Sequence, residues 1–321
     1  MTRWAELQEQ SFYEASARAR AKALLDENSF HELAGPEMGL HSPHLPVLGE
    51  AISFDDGVVT AVGKIGTRPV FVISQEGRFI GGSIGEVGGA KMVGLFQAAL
   101  SLYEKAAAKY PSDESRLPAV LISFDTGGVR LHEANAGLLA HAEVMEQIQR
   151  CRGKIPVLSL VGSKLGCFGG MGFVSAATDL TIMSEFGRVG LTGPEVMEEV
   201  LGKRAFDASD RSLIYRTTGG KHRAIMGSAS YLVEDTIGAF RAQVKAVLAM
   251  PYTQIAAHRS IGSRALVEEQ LELTALAAKL RPTDAHDVWA HFGNEQPETI
   301  SDLSTGEFLQ RVRTRKGGAA W

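Results

Sequence analysis

Glycine is the residue type with the most to say about chemistry here. The chain has 35 glycines in 321 residues, above the ~7% average for globular proteins and with no collagen period. They gather at 81–94, 127–137 and 162–172. Glycine serves where φ must be positive, or where backbone must come very close to something. Clusters of this kind point to sites built from backbone. In Ser123-Phe124-Asp125-Thr126-Gly127-Gly128 a buried-strand pattern ends in two glycines, ahead of an expected helix. Amide N–H groups at a strand-to-helix junction face outward, and the helix terminus adds partial positive charge. Without a Cβ in the way, a substrate oxygen can reach such amides, which is how an oxyanion hole is made. Taken alone the stretch is better read as a tight turn. Gly166-Cys167-Phe168-Gly169-Gly170-Met171-Gly172 repeats the arrangement after the next expected strand. Two such junctions on neighbouring parallel strands would bring their donors to one end of a sheet.

A second chemistry is written at Gly81-Gly82-Ser83-Ile84-Gly85, which fits the G-x-S-x-G nucleophile elbow. An elbow needs its helix directly after the serine, and Glu86-Val87-Gly88-Gly89 is expected to intervene. The incidental serine in a glycine turn is therefore preferred to a serine hydrolase using Ser83. No glycine cluster has G-x-G-x-x-G spacing, and Gly88-Gly89-Ala90-Lys91-Met92 lacks the end of a Walker A loop. His41 and His44 share a Pro-containing loop, which reads as a solvated turn, so no metal site is expected.

The elements that must position these turns follow from periodicity. Residues 11–25 read as an amphipathic helix opened by Ser11 and Glu14 in the S-x-x-E pattern. Residues 57–62 and 69–74 read as short strands. A helix carries Met92, Val93, Phe96, Leu100 and Tyr103 on one face. Ala119–Phe124 is a continuous apolar run, typical of a strand buried on both faces; Pro156–Val161 reads as the next buried strand and Leu180–Ser184 as a further strand. Long and short helices are expected between them, the first running to about Gln149 and the second to about Asp179. Strand, glycine turn and helix in repetition give an α/β fold with a mainly parallel sheet. Beyond 262 the chain reads as helical and polar, ending in a basic stretch over 311–318. The expected division is 1–260 for the main domain and 261–321 for a helical extension and tail.

Composition restricts the function class. Net charge is -4, with 45% hydrophobic and 22% charged residues, so no electrostatic case exists for nucleic acid or an anionic membrane. No apolar run approaches the ~18–20 residues of a membrane helix, and the first ten residues have no secretory h-region. Cys151 and Cys167 form no CxxC pair and suit a reducing compartment. The expected location is cytoplasmic.

Gly127-Gly128-Val129-Arg130-Leu131-His132-Glu133 resembles the SGGARMQE stretch of acyl-CoA carboxyltransferases. Gly169-Gly170, then Asp179, then Gly190-Leu191-Thr192-Gly193-Pro194-Glu195-Val196, resembles the second crotonase-superfamily signature. Gly82-Ser83-Ile84-Gly85-Glu86-Val87 resembles the carboxyltransferase GSMG region. Together with Ser11 to Leu25 and Leu45-Pro46-Val47, the chain most resembles the beta subunits of biotin-independent malonate decarboxylases. That resemblance implies a crotonase-like (ClpP/crotonase) spiral of β-β-α units with helical N- and C-terminal extensions. It implies a shared site with a homologous gamma-type subunit, and a malonyl group carried on the CoA-like prosthetic arm of an acyl carrier subunit, with no cofactor bound by this chain. The residues it assigns are Gly127, Gly128, Gly169 and Gly170 as catalytic backbone, and Gly82, Ser83, Gly85 and Arg130 as substrate-binding. Hydratases of the superfamily carry a catalytic Glu where this chain has Phe173, which cannot move protons, so water addition is not expected. Glu195 is expected to be a first-turn helix acid. The proton donor to the enolate is left open, with His132 and Glu133 near in sequence. The alternative reading is a biotin-dependent carboxyltransferase beta subunit, which shares the fold.

Overall fold

The computed structural model describes residues 10–43, 45–48, 57–258 and 263–315; the expectations for His44 and for 316–318 fall outside these. Helix α1 is Ala17–Leu24, β1 His31–Ala34, β2 Val59–Ile65, β3 Arg68–Ser74, β4 Ser83–Ile84 and α2 Glu86–Lys109. Then follow β5 Ala119–Phe124, β6 Gly128–Val129, α3 Asn135–Cys151, β7 Val157–Val161, α4 Gly170–Ala177, β8 Leu180–Ser184 and α5 Pro194–Leu201. The chain continues through α6 Arg211–Thr218, α7 Gly220–Ile225, β9 Tyr231–Val233, α8 Ile237–Leu248 and α9 Tyr252–Ala257. It ends in α10 Ser263–Leu280, α11 Ala285–His291 and α12 Thr305–Arg311.

Among the described residues the main sheet has seven strands in the order β1-β2-β3-β5-β7-β8-β9. The first three pair antiparallel, and from β3 onward every pair is parallel. The side-chain period of two splits the buried strands between two cores. Phe71 and Ile73, Val120 and Ile122, and Val157 and Val161 pack with Phe96 of α2, Val144 of α3 and Met171 of α4. Val70 and Val72, Leu121, and Leu158 and Leu160 pack on the other face, with Leu24 of α1 and Phe240 of α8. This is why these runs are apolar without alternation.

A second, shorter layer lies beyond the strand ends. Ser83 and Ile84 of β4 pair in parallel with Gly128 and Val129 of β6. Thr126 bridges Cys167, and Cys167 bridges Val189, also in parallel. Each of β3, β5, β7 and β8 thus leads into a short extended segment and then a helix, giving the expected spiral of β-β-α units.

Several expected boundaries move. The helix expected over 11–25 begins at Ala17, not near residue 11. Ser16 is its N-cap, accepting from the Ala19 amide, while the Ser11 hydroxyl accepts from the Glu14 amide at 3.2 Å and donates to Asp235 at 2.7 Å. The helix after Ser83 begins at Glu86, so the expected spacer 86–89 is its first turn. Gly89 is there for helix contact: a Cβ on it would stand 2.4 Å from the Ala140 Cβ of α3. The expected break near 260 lies among undescribed residues. Beyond it, Trp289, Ile300 and Phe308 return to the cluster that holds Met183, Ile225 and Leu232, and Arg315 pairs with Glu269 and donates to the Met226 carbonyl.

Candidate active site

The two glycine pairs meet. A Cβ on Gly128 would stand 2.8 Å from the Phe168 carbonyl oxygen, 2.9 Å from the Gly169 Cα and 3.1 Å from the Gly170 amide nitrogen. Gly128 also holds φ +109°, a region that L side chains rarely enter. The turns lie side by side at the C-terminal ends of β5 and β7, where open parallel sheets bind their ligands.

Their amides are used differently. Gly127 donates to the Gly81 carbonyl at 3.0 Å and Gly128 to the Thr126 hydroxyl at 3.0 Å. The first turn also fails to open a helix: β6, a 3₁₀ turn over Leu131–Glu133 and Ala134 at φ 48° come before α3. The expectation of a helix terminus at Gly127-Gly128 is corrected accordingly, because the parallel pairing with β4 draws the chain into the second layer. At the second turn the Gly169 amide goes to the Leu191 carbonyl at 3.0 Å. The helix α4 starts at the next residue. Its first two amides, Gly170 and Met171, have no acceptor among the described residues.

The Ser83 turn is braced from beneath. Ile80, Gly81 and Gly82 all hold positive φ, at 45°, 59° and 62°. The Gly81 Cβ direction is open, with no atom within 4 Å, whereas a Cβ on Gly82 would be 2.2 Å from the Asp125 carbonyl. The Ser83 hydroxyl donates to the Ile80 carbonyl at 2.8 Å and accepts from Arg130 Nε at 3.3 Å. Arg130 is expected to bind substrate, but it is 1% exposed and faces inward. Its guanidinium donates to the Ser83 carbonyl at 2.8 Å and pairs with Glu133 at 3.0 Å. The other Glu133 oxygen accepts the Glu86 amide at 2.7 Å, at the first turn of α2. A Cβ on Gly85 would meet this carboxylate at 2.1 Å, so Gly85 makes room for Glu133. Arg130 and Gly85 therefore shape the turn, and among the described residues no histidine hydrogen-bonds to Ser83.

Asp125 is a residue that sequence reading passed over. One carboxylate oxygen accepts the Gly77 amide at 3.0 Å and faces the buried Arg20 at 3.3 Å; the other accepts the Leu165 amide at 3.0 Å. One side chain thus ties the turns after β3, β5 and β7 to α1. Buried charge of this kind is costly unless paired and hydrogen-bonded, and here it is both.

Several large apolar side chains on the elements that follow the turns are exposed. Phe173 of α4, at the position of the hydratase acid, is 54% exposed, with Leu138 and Leu139 of α3 and Leu191 also exposed. Glu195 is exposed in the first turn of α5. His132 is exposed and Glu133 buried. Among the described residues no three His, Cys, Asp or Glu side chains converge on a metal-sized point, and no helix is long and apolar enough to cross a membrane.

The carboxyl transferase domain profile matches residues 13–291. The chain is 59% identical over 317 residues to a malonyl-S-ACP:biotin-protein carboxyltransferase of Malonomonas rubra, covering 98% of this chain and all of that protein. It is 34% identical over 221 residues to the propionyl-CoA carboxylase beta chain of Saccharopolyspora erythraea, of which it covers 36% against 68% of itself. Among solved structures it resembles a chain of a Pseudomonas malonate decarboxylase hetero-tetramer in complex with malonate. The TM-score is 0.73 at 35% identity, covering 88% of this chain and 98% of that one. The transcarboxylase 12S hexamer gives a TM-score of 0.60 at 26% identity over 76% of this chain and 42% of that one.

Proposed function

The chain belongs to the carboxyl transferase family, and on that premise we propose that it is the beta-type subunit of a malonate decarboxylase. With a homologous gamma-type partner it splits the malonyl thioester on the CoA-like arm of an acyl carrier protein, leaving an acetyl thioester and CO2. The observation that carries this is the pair of adjoining glycine turns, with the Gly170 and Met171 amides unused at the start of α4.

The reaction asks for little more than such donors. When the C–C bond to the carboxylate breaks, its electron pair enters the thioester as an enolate, so the thioester is its own electron sink. An amide at the start of α4 aimed at the developing oxyanion, that of the half-buried Gly170 rather than of the fully buried Met171, stabilises the charge where it forms, reinforced by the helix terminus. One donor of this kind contributes ~3–4 kcal/mol. Gly127, Gly128 and Gly169 act by shape: their missing side chains let the arm approach, while their amides are spent on the Gly81 carbonyl, the Thr126 hydroxyl and the Leu191 carbonyl. The exposed Leu138, Leu139, Phe173 and Leu191 supply the apolar face that a homologous partner closes, excluding water from the carboxylate.

A second reading concerns the fate of the carboxyl group. The full-length relative at 59% identity is a biotin-protein carboxyltransferase, which favours transfer to biotin on a carrier protein over release as CO2. Both readings share the enolate. The test is to co-purify the chain with its native partners and follow carboxyl loss from malonyl thioester. CO2 release in the presence of avidin supports the first reading; avidin-sensitive turnover supports the second. A complex that forms no acetyl thioester under either condition refutes both.

A further inference from the structure

We infer that a rim of cations and aromatic rings, Arg78, Lys164, Arg188 and Arg211 around Tyr13 and Tyr215, is the surface on which an acidic face of the carrier protein docks. The assignment rests on the reading above, in which a carrier presents the malonyl thioester.

The short second layer decides which side chains face outward. Thr126, Cys167 and Val189 lie in register, and Cys167 and Val189 pack into the core. A side-chain period of two turns their neighbours Phe168, Arg188 and Gly190 to the other face. The contacts agree. A Cβ on Gly190 would stand 3.2 Å from the Phe168 ring, and the Arg188 guanidinium lies over that ring at 5.9 Å. Gly127, the neighbour of Thr126, opens on this face too: a Cβ there would meet only the Gly81 carbonyl oxygen, at 3.0 Å. The rim is thus continuous with the glycine turns.

Its cations come from separate segments of the chain. Arg188 also lies over the Tyr215 ring, at 5.9 Å, and donates to the Lys164 and Leu165 carbonyls. Arg211, exposed at the start of α6, lies beside Tyr215 and Tyr13. Arg78 donates to the Glu14 carbonyl at 3.3 Å. Phe186, 44% exposed, stands edge-on to Tyr13 and to Tyr215.

Charge separates this rim from the rest of the molecule. The chain as a whole carries -4, yet here the four cations face two carboxylates, Glu14 at 4.0 Å from Lys164 and Glu76 at 3.8 Å from Arg78. Glu185 is taken up by Lys221 at 2.9 Å, and Asp235 by the Ser11 hydroxyl and the Tyr13 amide. Arg188 and Arg211 have no ion-pair partner among the described residues. A guanidinium already held by carbonyls and stacked on rings loses little freedom when a carboxylate arrives. A positive rim on an acidic chain steers an acidic partner and fixes its orientation. The carrier is the macromolecule that the reaction must bring to these turns.

The test uses the complex of this chain with its gamma-type partner and three malonyl thioesters: on the carrier protein, on CoA and on N-acetylcysteamine. Lys164→Glu and Arg211→Glu are compared with the parent. Both side chains are exposed, and an acid in the first turn of α6 suits that helix. Each is expected to raise KM for the carrier thioester ~10-fold, and the pair ~10²-fold. Turnover at saturation, and KM for the two small thioesters, should stay near the parent. In the parent the carrier KM should rise with salt, and that dependence should weaken in the double variant. An unchanged carrier KM in the folded double variant overturns the assignment. So does a KM that rises as much for CoA as for the carrier, since the phosphates of the arm would then be the bound anion. Carrier binding is titrated in parallel, without turnover. A parent that binds the carrier, loses it in the double variant and yet forms no acetyl thioester refutes the function proposed above and leaves the docking surface standing.

Discussion

The turn at Gly127-Gly128 and the turn at Gly169-Gly170 follow neighbouring parallel strands and touch each other, yet their amide hydrogens go to different places. In the first, both amides end on atoms of this chain, the Gly81 carbonyl and the Thr126 hydroxyl, and six residues separate Gly128 from α3. In the second, α4 begins at Gly170 and two amides stay unused. A glycine pair after a buried strand reports that backbone comes close to something. Whether that something is a ligand or another turn depends on where the next helix starts. In the function proposed above, the first pair is the wall of the site and the second is its donor.

The sharpest way to break this distinction is Gly128→Val. Resemblance alone suggests a variant that folds and loses only activity. The structure predicts otherwise, since the new Cβ would stand at φ +109° and 2.8 Å from the Phe168 carbonyl. We expect a loss of ~3–5 kcal/mol of stability, seen as a lowered denaturant midpoint, with activity lost through the fold. A stable, assembled and inactive Gly128→Val would show that the first turn is also a donor.

Breaking the ion pair beneath the Ser83 turn should cost nearly as much. Arg130→Met leaves the Glu133 carboxylate buried with one partner fewer, and removal of one member of such a pair costs ~3–5 kcal/mol. Thermal unfolding reads this directly. An Arg130→Met protein of parent stability with a raised substrate KM would restore Arg130 as a substrate-binding residue.

Gly170→Ala tests the donor turn. Its Cβ meets the movable side chains of His141 and Val129 rather than backbone, and alanine suits a helix better than glycine. Alanine keeps the amide N–H, so the expected effect comes through the turn. The new Cβ, 2.6 Å from the buried His141 Cδ2 and 2.8 Å from Val129 Cγ2, shifts the donor out of line, with turnover down ~10²-fold and a modestly lowered melting temperature. Unchanged turnover would move the oxyanion site elsewhere.

Ser83→Ala should matter least. It removes the hydroxyl's bonds to Ile80 and Arg130, worth ~1 kcal/mol each, and leaves the chemistry in place. A dead but folded Ser83→Ala, or covalent phosphonate labelling at Ser83, would reopen the hydrolase reading.

The strands were legible because burial on both faces leaves a signature in composition. Ala119–Phe124 and Leu180–Ser184 are mostly apolar, with no alternation, and coincide with β5 and β8. The helix starts were less legible. Ser11 looks like a cap, but Asp235, more than two hundred residues away, takes its hydroxyl, and Ser16 caps instead. Gly88-Gly89 looks like a loop but lies inside α2, because the penalty for glycine in a helix is offset by close contact with α3. His141 was readable in principle: it shares the buried stripe of α3 with Gly137, Val144 and Ile148. A histidine on such a stripe is more often a packed residue than a functional one, and its 3% exposure agrees with packing.

What the sequence determined by itself was the repeating unit, the parallel sheet and the two glycine turns that end neighbouring strands. These depend on local φ/ψ needs and on side-chain period, which are written residue by residue. Which amides remain open, that Arg130 and Glu133 face inward, and that Asp125 joins three turns were decided by tertiary structure alone. Each depends on hydrogen-bond partners brought together from distant parts of the chain, such as Gly81 for Gly127 and Leu191 for Gly169, and no local pattern specifies which donor meets which acceptor.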